Sequence, residues 1–361
     1  MKVVIIGGVA GGAGVAAFSG NNSGGSTTLV EGERTPTVVN VSNVATKDPL
    51  TASQIYQAYV GSTVGITTEI VTTNYFGQPV SQAAAGSGFV ISDNGYILTN
   101  YHVIKGASSI KVAFMDGTNY DATLVGGESE NDIAVLKINA SGLSPVVLGN
   151  SDNVQVGEQV VAIGNPLGEL TYSMTQGIIS AKDRSITMSD GTVMNMLQTD
   201  TAINNGNSGG PLFDMYGQVI GITNMKLISN VSDNTLEGLG FAIPTTTVKP
   251  VVDALIANGV VTGRPTLGVT VRAMYAYEKE EYGVDQGLLV VSVTPGSGAD
   301  GRLEAGDVLL TANGTGLNAI NDLMAVRDSL QAGDSIDFQV QRGEEALTVS
   351  VELMEQYQLE G

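Results

Sequence analysis

The sequence predicts a mainly β protein with two folded units, and three observations carry that prediction. Short apolar runs closed by turn signals recur from about residue 55 to 245 without intervening helical stretches, the pattern of an antiparallel barrel or sandwich. Glycine is abundant, at 47 of 361 residues, as many tight turns between short strands require. From residue 262 to 356, strand runs mix with a helical stretch, which reads as a small α+β unit.

Taken in order, "GSGFVIS", "DNG" and "YILTNYHVI" read as strand, tight turn and strand. "SIKVAFMDGTNYDATLVG" repeats the scheme around Asp116-Gly117. "NDIAVLKI", "EQVVAIGNP", "TQGIISA", "GQVIGITNM" and "GLGFAIP" continue it, and "TTTVKPVVDALIANG" reads as a helix stopped near Gly259. In the second unit, "GLLVVSVTP", "DVLLTANG", "SIDFQVQRG" and "EALTVSVELM" are strands, and "LNAINDLMAVRDSLQAG" is helical.

Composition narrows the chemistry. Hydrophobic residues make up 42%, enough for a buried core, and the formal net charge is −20. Such a surface stays soluble and repels phosphate backbones and anionic lipid, so nucleic acid is not an expected partner. There is no cysteine, which excludes thiol nucleophiles, thiolate metal sites and disulfides. His102 is the one histidine, so a multi-histidine metal site is excluded and imidazole chemistry rests on that residue. No G-x-x-x-x-G-K-[ST] loop occurs. No metal and no cofactor are expected.

The strongest chemical signal is "NNGNSGGPLFD", in which Ser208 is flanked by glycines. A serine hydroxyl is a poor nucleophile until a base takes its proton and fixed donors receive the developing oxyanion. Flanking glycines let the backbone turn sharply enough to aim successive N–H groups into one space. An ordinary Gly-Asn-Ser-Gly turn is the alternative. The base must be His102 in "LTNYHVI", unless that residue is merely a satisfied histidine at a strand end. Asp132, which opens the apolar strand of "SENDIAVLKI", is placed to hold the imidazole in one tautomer, or else is a simple turn residue. The three follow in the order His, Asp, Ser, spaced 30 and 76 residues apart.

That order is the one used by chymotrypsin-type double barrels. "TNYHVI", "NDIAVLKI" and "GNSGGPL" resemble the three signatures of the HtrA serine proteases, and "VAIGNPLG", "GIISA" and "QTDTAINNGNSGGPL" match further segments of that family. The resemblance runs from about residue 55 to the end. It implies a chymotrypsin-like double β-barrel over residues 55–258, and a PDZ domain over 262–356. It gives Ser208 as nucleophile, His102 as general base and then acid, and Asp132 as its orienter. The backbone N–H groups of Gly206 and Ser208 would form the oxyanion hole. Asn207 stands where digestive enzymes of this type carry an Asp that pairs with a new N-terminus. A neutral amide cannot form that pair, so control by loop ordering, around residues 165–175 and 224–237, is expected. Ala202 and Ile203 would line an apolar S1 pocket for small aliphatic side chains.

In the second unit "AGDVLLTANG" matches a PDZ strand and turn, and "TLGV" falls at the carboxylate-binding loop. Leu267, Gly268 and Val269 are therefore the expected contacts for a peptide C-terminus. Thr266 departs from the aromatic residue common in the family at that place. The resemblance further implies an ATP-independent endopeptidase acting on unfolded or misfolded extracytoplasmic proteins. Its activity would fall as acid protonates His102. A homotrimer or a multiple of one is implied, with aromatic residues around Tyr56 and Tyr59 as interface candidates. The rival reading is a peptide-binding chaperone or stress sensor in which cleavage is secondary.

The N-terminus imitates a dinucleotide fingerprint. Gly7 and Gly12 fit its outer positions, and Glu31 falls near the expected acid, but Val9 fills the middle glycine position. "GNNSGGS" cannot form the crossover helix, and no further βαβ units follow, so a redox enzyme is the weakest reading. Residues 3–18 are uncharged, a length suited to an export-signal core and short of the ~20 residues of a full membrane span. Residues 1–19 are thus expected to be a signal or anchor, and 20–54 a flexible tether.

Overall fold

The computed structural model describes residues 4–6, 15–17, 48–73, 79–165, 172–188, 193–204, 206–224 and 238–359. Residues 1–40 form a unit of their own. In it, strands β1 (Val4–Ile6) and β2 (Val15–Ala17) pair antiparallel. Gly7, Val9, Gly12 and Glu31 and the rest of the expected signal and tether up to residue 47 lie outside the described residues. No helix among the described residues is long and apolar enough to cross a membrane.

The chain from residue 48 opens with helix α1 (Ala52–Tyr59), whose first three residues fall in the stretch expected as tether. Its start is fixed by a reciprocal cap. Gln54 N donates to Thr51 Oγ1 at 3.3 Å, and Thr51 N donates to Gln54 Oε1 at 2.8 Å. Ile55 and Tyr59, four residues apart, share its buried face.

Strands β3 (Thr63–Thr73), β4 (Pro79–Val90) and β5 (Tyr96–Thr99) are followed by a single helical turn, α2 (Tyr101–Ile104). Then come β6 (Ser109–Ala113), β7 (Asn119–Glu128) and β8 (Ile133–Ile138). The six strands close a barrel in the order β3-β4-β5-β8-β7-β6. The alternation of β6, with Ile110 and Val112 inside and Lys111 outside, is what a half-buried strand dictates. In β8 both faces are covered. Ala134, Leu136 and Ile138 fill the barrel, while Ile133 and Val135 face a second core. That explains its unbroken apolar run.

A short β9 (Val147–Leu148) precedes β10 (Gln159–Gly164), β11 (Ser173–Thr187), β12 (Val193–Thr199), β13 (Pro211–Asp214), β14 (Gln218–Asn224) and β15 (Gly240–Pro244). Because β13 pairs with both β10 and β14, the second sheet also closes into a six-stranded ring, with β9 added in parallel on β14. Helix α3 (Thr245–Asn258) buries Val248, Val251, Val252 and Leu255 and stops at Gly259. The largest core joins Phe89, Leu98 and Ile133 of the first barrel to Val161, Ile163, Phe213 and Ile222 of the second, with α1 and α3 packed on it. Each such side chain contributes roughly 1.5–3 kcal/mol on burial. The seam between the barrels is therefore held rigidly, and the expected site residues lie along it.

The second unit contains β16 (Pro265–Thr266), β17 (Val269–Ala273), α4 (Ala276–Tyr282), β18 (Leu288–Val293), β19 (Val308–Ala312), β20 (Thr315–Gly316), α5 (Ile320–Asp328), β21 (Ser335–Arg342), β22 (Glu345–Glu352) and β23 (Met354–Glu355). The main sheet runs β17-β18-β19-β21-β22 around a core of Leu288, Val290, Leu309, Phe338 and Val340. Strand β17 lies at its edge, and a groove opens between β17 and α5.

Two expectations are corrected. "YILTNYHVI" is not one strand. It leaves the sheet after Thr99, because Tyr101 N donates to Asp132 O at 3.1 Å and Lys105 N closes a helical turn on Tyr101 O. Tyr59 is not a surface residue able to line a subunit interface. It is fully buried and stacked on Phe213, with ring centroids 4.7 Å apart. Tyr56 is half-buried, its hydroxyl donating to Tyr172 O.

Candidate active site

The site is built outward from the turn between β7 and β8. Buried Glu128 accepts from Glu130 N at 2.9 Å, Asn131 N at 3.0 Å and Asn131 Nδ2 at 2.9 Å. Burial pushes the Glu128 carboxyl above its ordinary value, against the pull of those donors. The turn so fixed leaves Asp132 in the left-handed region, at φ 55, which Asp tolerates better than most residues. The Asp132 side chain is 1% exposed. Its Oδ1 accepts from His102 N at 2.8 Å. Its Oδ2 lies 2.7 Å from His102 Nδ1 and accepts from Asn224 Nδ2 at 2.8 Å.

A carboxylate on Nδ1 makes that nitrogen the proton carrier, which leaves Nε2 with a free lone pair. His102 Nε2 is 3.2 Å from Ser208 Oγ. The imidazole is 31% exposed whereas Ser208 is 2% exposed, so the ring edge is reachable from solvent and the hydroxyl lies beneath it. The fold thus brings together His102 from α2, Asp132 from the turn before β8 and Ser208 from the turn before β13. An imidazole so placed can take a hydroxyl proton while its cationic form is stabilised from behind.

The serine turn is stitched to both barrels. Ser87 N donates to Ser208 O at 2.8 Å, and Ser87 Oγ donates to Gly206 O at 2.6 Å. Gly209, at φ 84, brings its backbone so close to β4 that a Cβ would sit 2.3 Å from Ser87 O. Only glycine fits there.

Within this turn the expected oxyanion donors are already engaged. Gly206 N donates to Asn204 Oδ1 at 3.1 Å, and Ser208 N donates to Asn204 O at 3.3 Å. Asn207 is nearly buried, and its amide is consumed locally. Its Oδ1 accepts from Asn204 N at 2.8 Å, and its Nδ2 donates to Ala202 O at 2.9 Å. Asn204 and Asn207 thus clasp each other across the turn, and Gly206 N and Ser208 N do not point together into an open hole.

Of the expected S1 residues, Ala202 is exposed, and its carbonyl also accepts from Thr175 Oγ1 at 3.0 Å. Ile203 is half-buried against the second barrel's core, beside Gly240. Most of the loops expected to control the site, residues 166–171 and 225–237, lie outside the described residues.

In the second unit Leu267 is buried and Val269 begins the edge strand. Gly268, at φ 73, faces Ser297 so closely that a Cβ would meet the Ser297 Cβ at 2.1 Å. Gly268 N donates to Thr266 Oγ1 at 3.3 Å, so a threonine hydroxyl occupies one expected carboxylate donor. Leu267, Val269 and Val271 line one wall of the groove, and Ile320, Leu323 and Met324 the other. Ser129 and Glu130, from the turn that carries Asp132, stand at its rim. Glu130 lies 3.7 Å from the Arg264 guanidinium and 3.9 Å from that of Arg327.

Sequence reading missed Glu128, Asn204 and Asn224. Glu128 carried a usable signal, since an acid three residues before the Asn131-Asp132 pair suits a local backbone cap. Among the described residues no group of three or more His, Asp or Glu is placed to hold a metal ion.

Comparison with known proteins agrees with this architecture. Residues 86–222 match the trypsin-like peptidase domain, and residues 265–353 match the PDZ domain. The chain is 37% identical to Protease Do-like 1, chloroplastic, of Arabidopsis thaliana, over 88% of this chain and 74% of that one. It is 43% identical to a probable periplasmic serine endoprotease DegP-like of Pseudomonas savastanoi pv. phaseolicola, over 74% of this chain and 55% of that one. With Serine protease Do-like HtrA of Bacillus subtilis it shares 36% identity over 76% of this chain and 64% of the relative. The chain thus spans between about half and three quarters of the length of these relatives. Among solved structures, the HtrA-type protease AlgW with decapeptide superposes with a TM-score of 0.59 at 32% identity, over 85% of this chain and 99% of that one. The serine endoprotease from Yersinia pestis gives 0.55 at 33% identity, over 86% of this chain and 99% of that one.

Proposed function

The chain belongs to the HtrA family of trypsin-like serine proteases with a PDZ domain, and from that premise we propose that it is an ATP-independent endopeptidase that degrades unfolded or misfolded proteins outside the cytoplasm. The observation that supports this reading best is the line of contacts from Asp132 through His102 to Ser208, at 2.7 and 3.2 Å.

In the proposed reaction Ser208 Oγ attacks the carbonyl carbon of the scissile bond and its proton passes to His102 Nε2. The tetrahedral intermediate expels the amine, which takes that proton from Nε2, and an acyl-enzyme remains. Water then attacks the ester, giving a proton to Nε2 that returns to Ser208 Oγ as the acid leaves. Each negatively charged intermediate needs the N–H groups of Gly206 and Ser208. Both must therefore turn from Asn204 before the enzyme works at full rate. The apolar side chain of Ile203 favours small aliphatic residues before the cut. The groove between β17 and α5 takes a peptide C-terminus as an added strand. The DegP-like relatives are named as periplasmic, which supports an extracytoplasmic location. A homotrimer or a multiple of one is the proposed assembly.

The test is degradation of a reduced, unfolded protein without nucleotide, followed on gels for the wild type and Ser208→Ala. Fragments from the wild type alone are expected. Equal persistence of the substrate with both proteins would reject the reading. A second reading, a peptide-binding chaperone or sensor with cleavage held back, is favoured by the engagement of both oxyanion donors on Asn204. Suppressed aggregation without fragments would select it.

A further inference from the structure

Among the described residues two acceptors stand within reach of the Ser208 hydroxyl. One is His102 Nε2 and the other is Asn100 Oδ1, and each lies 3.2 Å from Oγ. Asn100 is fully buried, at the break between β5 and α2. Its amide orientation is fixed chemically. Asn100 Nδ2 lies 3.0 Å from Asp132 O, a carbonyl oxygen that can only accept and that takes Tyr101 N as well, so the amide nitrogen faces it and the amide oxygen faces the serine. One side chain thus ties the nucleophile to the backbone of the residue that orients the base.

From this geometry we infer that Asn100 Oδ1 is the acceptor that receives the Ser208 hydroxyl whenever His102 Nε2 carries a proton. The inference rests on the protease reading above. With neutral His102 the hydroxyl is shared between Nε2 and Oδ1. Once Nε2 is protonated it becomes a donor and points its N–H at Oγ. The hydroxyl must then turn its own proton elsewhere, and in this buried place Asn100 Oδ1 is there to take it. The sequence Nε2–H to Oγ–H to Oδ1 gives each of these three groups a partner in the acid form of the free enzyme. Asn100 therefore favours that inactive protonated form, and sets the pH at which acid switches the enzyme off. Asp132 is the charged group in contact with the ring. Lys105 at the end of α2 and Glu69 on the neighbouring β3 are exposed.

The test is the second-order rate of fluorophosphonate labelling of the full chain from pH 5 to 9, in the presence of an unfolded protein. Wild type, Ser208→Ala, Asn100→Leu and Asn100→Asp are compared. A net hydrogen bond of ordinary strength corresponds to roughly half to one pH unit. Asn100→Leu removes the acceptor, so its acid limb is expected to move down by about that much. Asn100→Asp keeps an acceptor, adds negative charge and loses the same donor to Asp132 O, so its limb is expected to move up. A purely structural role would lower the labelled fraction in both variants and leave both limbs in place. Unmoved limbs, or limbs displaced in the same direction, overturn the inference. Should Asn100→Leu fail to fold, Asn100→Ala removes the same acceptor with less bulk, and its limb decides, a downward shift supporting the inference and an unmoved limb overturning it. A wild type that is not labelled, or labelling that survives Ser208→Ala, overturns the protease reading and this inference with it. A labelled wild type with unmoved variants overturns this inference alone.

Discussion

The two barrels contribute differently to the active centre. The first supplies His102 and Asp132 in finished form. The carboxylate is buried, both its oxygens are occupied, and the imidazole is already aligned on the serine. The second supplies Ser208 on a turn whose N–H groups are spent on Asn204. The first arrangement is anchored in strands that share the main core, so undoing it would mean opening the seam. The second is a local clasp of a few neutral hydrogen bonds, each worth on the order of 1 kcal/mol net. A ligand that prefers the open turn by a few kcal/mol is enough to shift such an equilibrium. On the proposed reading the proton relay stands ready-made, and control falls on the turn that carries Asn204 and Ser208.

The largest effect comes from breaking the finished half. Asp132→Asn keeps the shape but favours the wrong imidazole tautomer, and kcat is expected to fall by about 10⁴-fold with KM little changed. Steady-state kinetics on an unfolded substrate checks it. At the peptide groove, Gly268→Ala must place a Cβ against Ser297 in a left-handed backbone. Affinity for a C-terminal peptide is expected to fall about tenfold. Fluorescence polarisation of a labelled peptide reads the loss, and unstimulated labelling of Ser208 should stay as in the wild type.

The clasp itself is sharpened by Asn204→Ala, which removes the side-chain acceptor on Gly206 N. Basal fluorophosphonate labelling is expected to rise about fivefold, the equivalent of one neutral hydrogen bond. An unchanged basal rate would mean that the side chain does not hold the turn.

The smallest effect concerns the buried acid under Asp132. Burial raises the Glu128 carboxyl in the folded state, so the folded protein binds more protons there than the unfolded chain does. Its contribution to stability is complete below the unfolded value and is lost as pH rises through the folded one. Glu128→Gln does not titrate. Melting curves should show the variant gaining on the wild type as pH rises through that window, and a difference independent of pH would contradict the assignment.

Much of this was legible in the chain. The strand pattern survives because short apolar runs with turn residues impose a period of two, and the His, Asp, Ser order is specific because three distinct chemistries must fall in sequence. What sequence alone could not give depended on partners far along the chain. Helix α2 is one turn long, too short for a helical period, and it exists because Asp132 O captures Tyr101 N. Tyr59 looked like a surface aromatic until Phe213 stacked on it. Asn100 and Asn204 read as ordinary polar residues in "LTNYH" and "INNGNS", because an amide's role is set by what faces each end of it. The caps of α1 and of the Asp132 turn were readable and were overlooked, being local.

The contrast between the finished and the clasped half is tested most directly by fluorophosphonate labelling of the wild type, His102→Ala and Ser208→Ala, with and without an unfolded protein. Slow labelling of the wild type alone, rising severalfold with the unfolded protein, absent in Ser208→Ala and nearly so in His102→Ala, is the expected result. Full-rate labelling that no stimulus changes would contradict a turn held closed by Asn204, and labelling independent of His102 would contradict the relay.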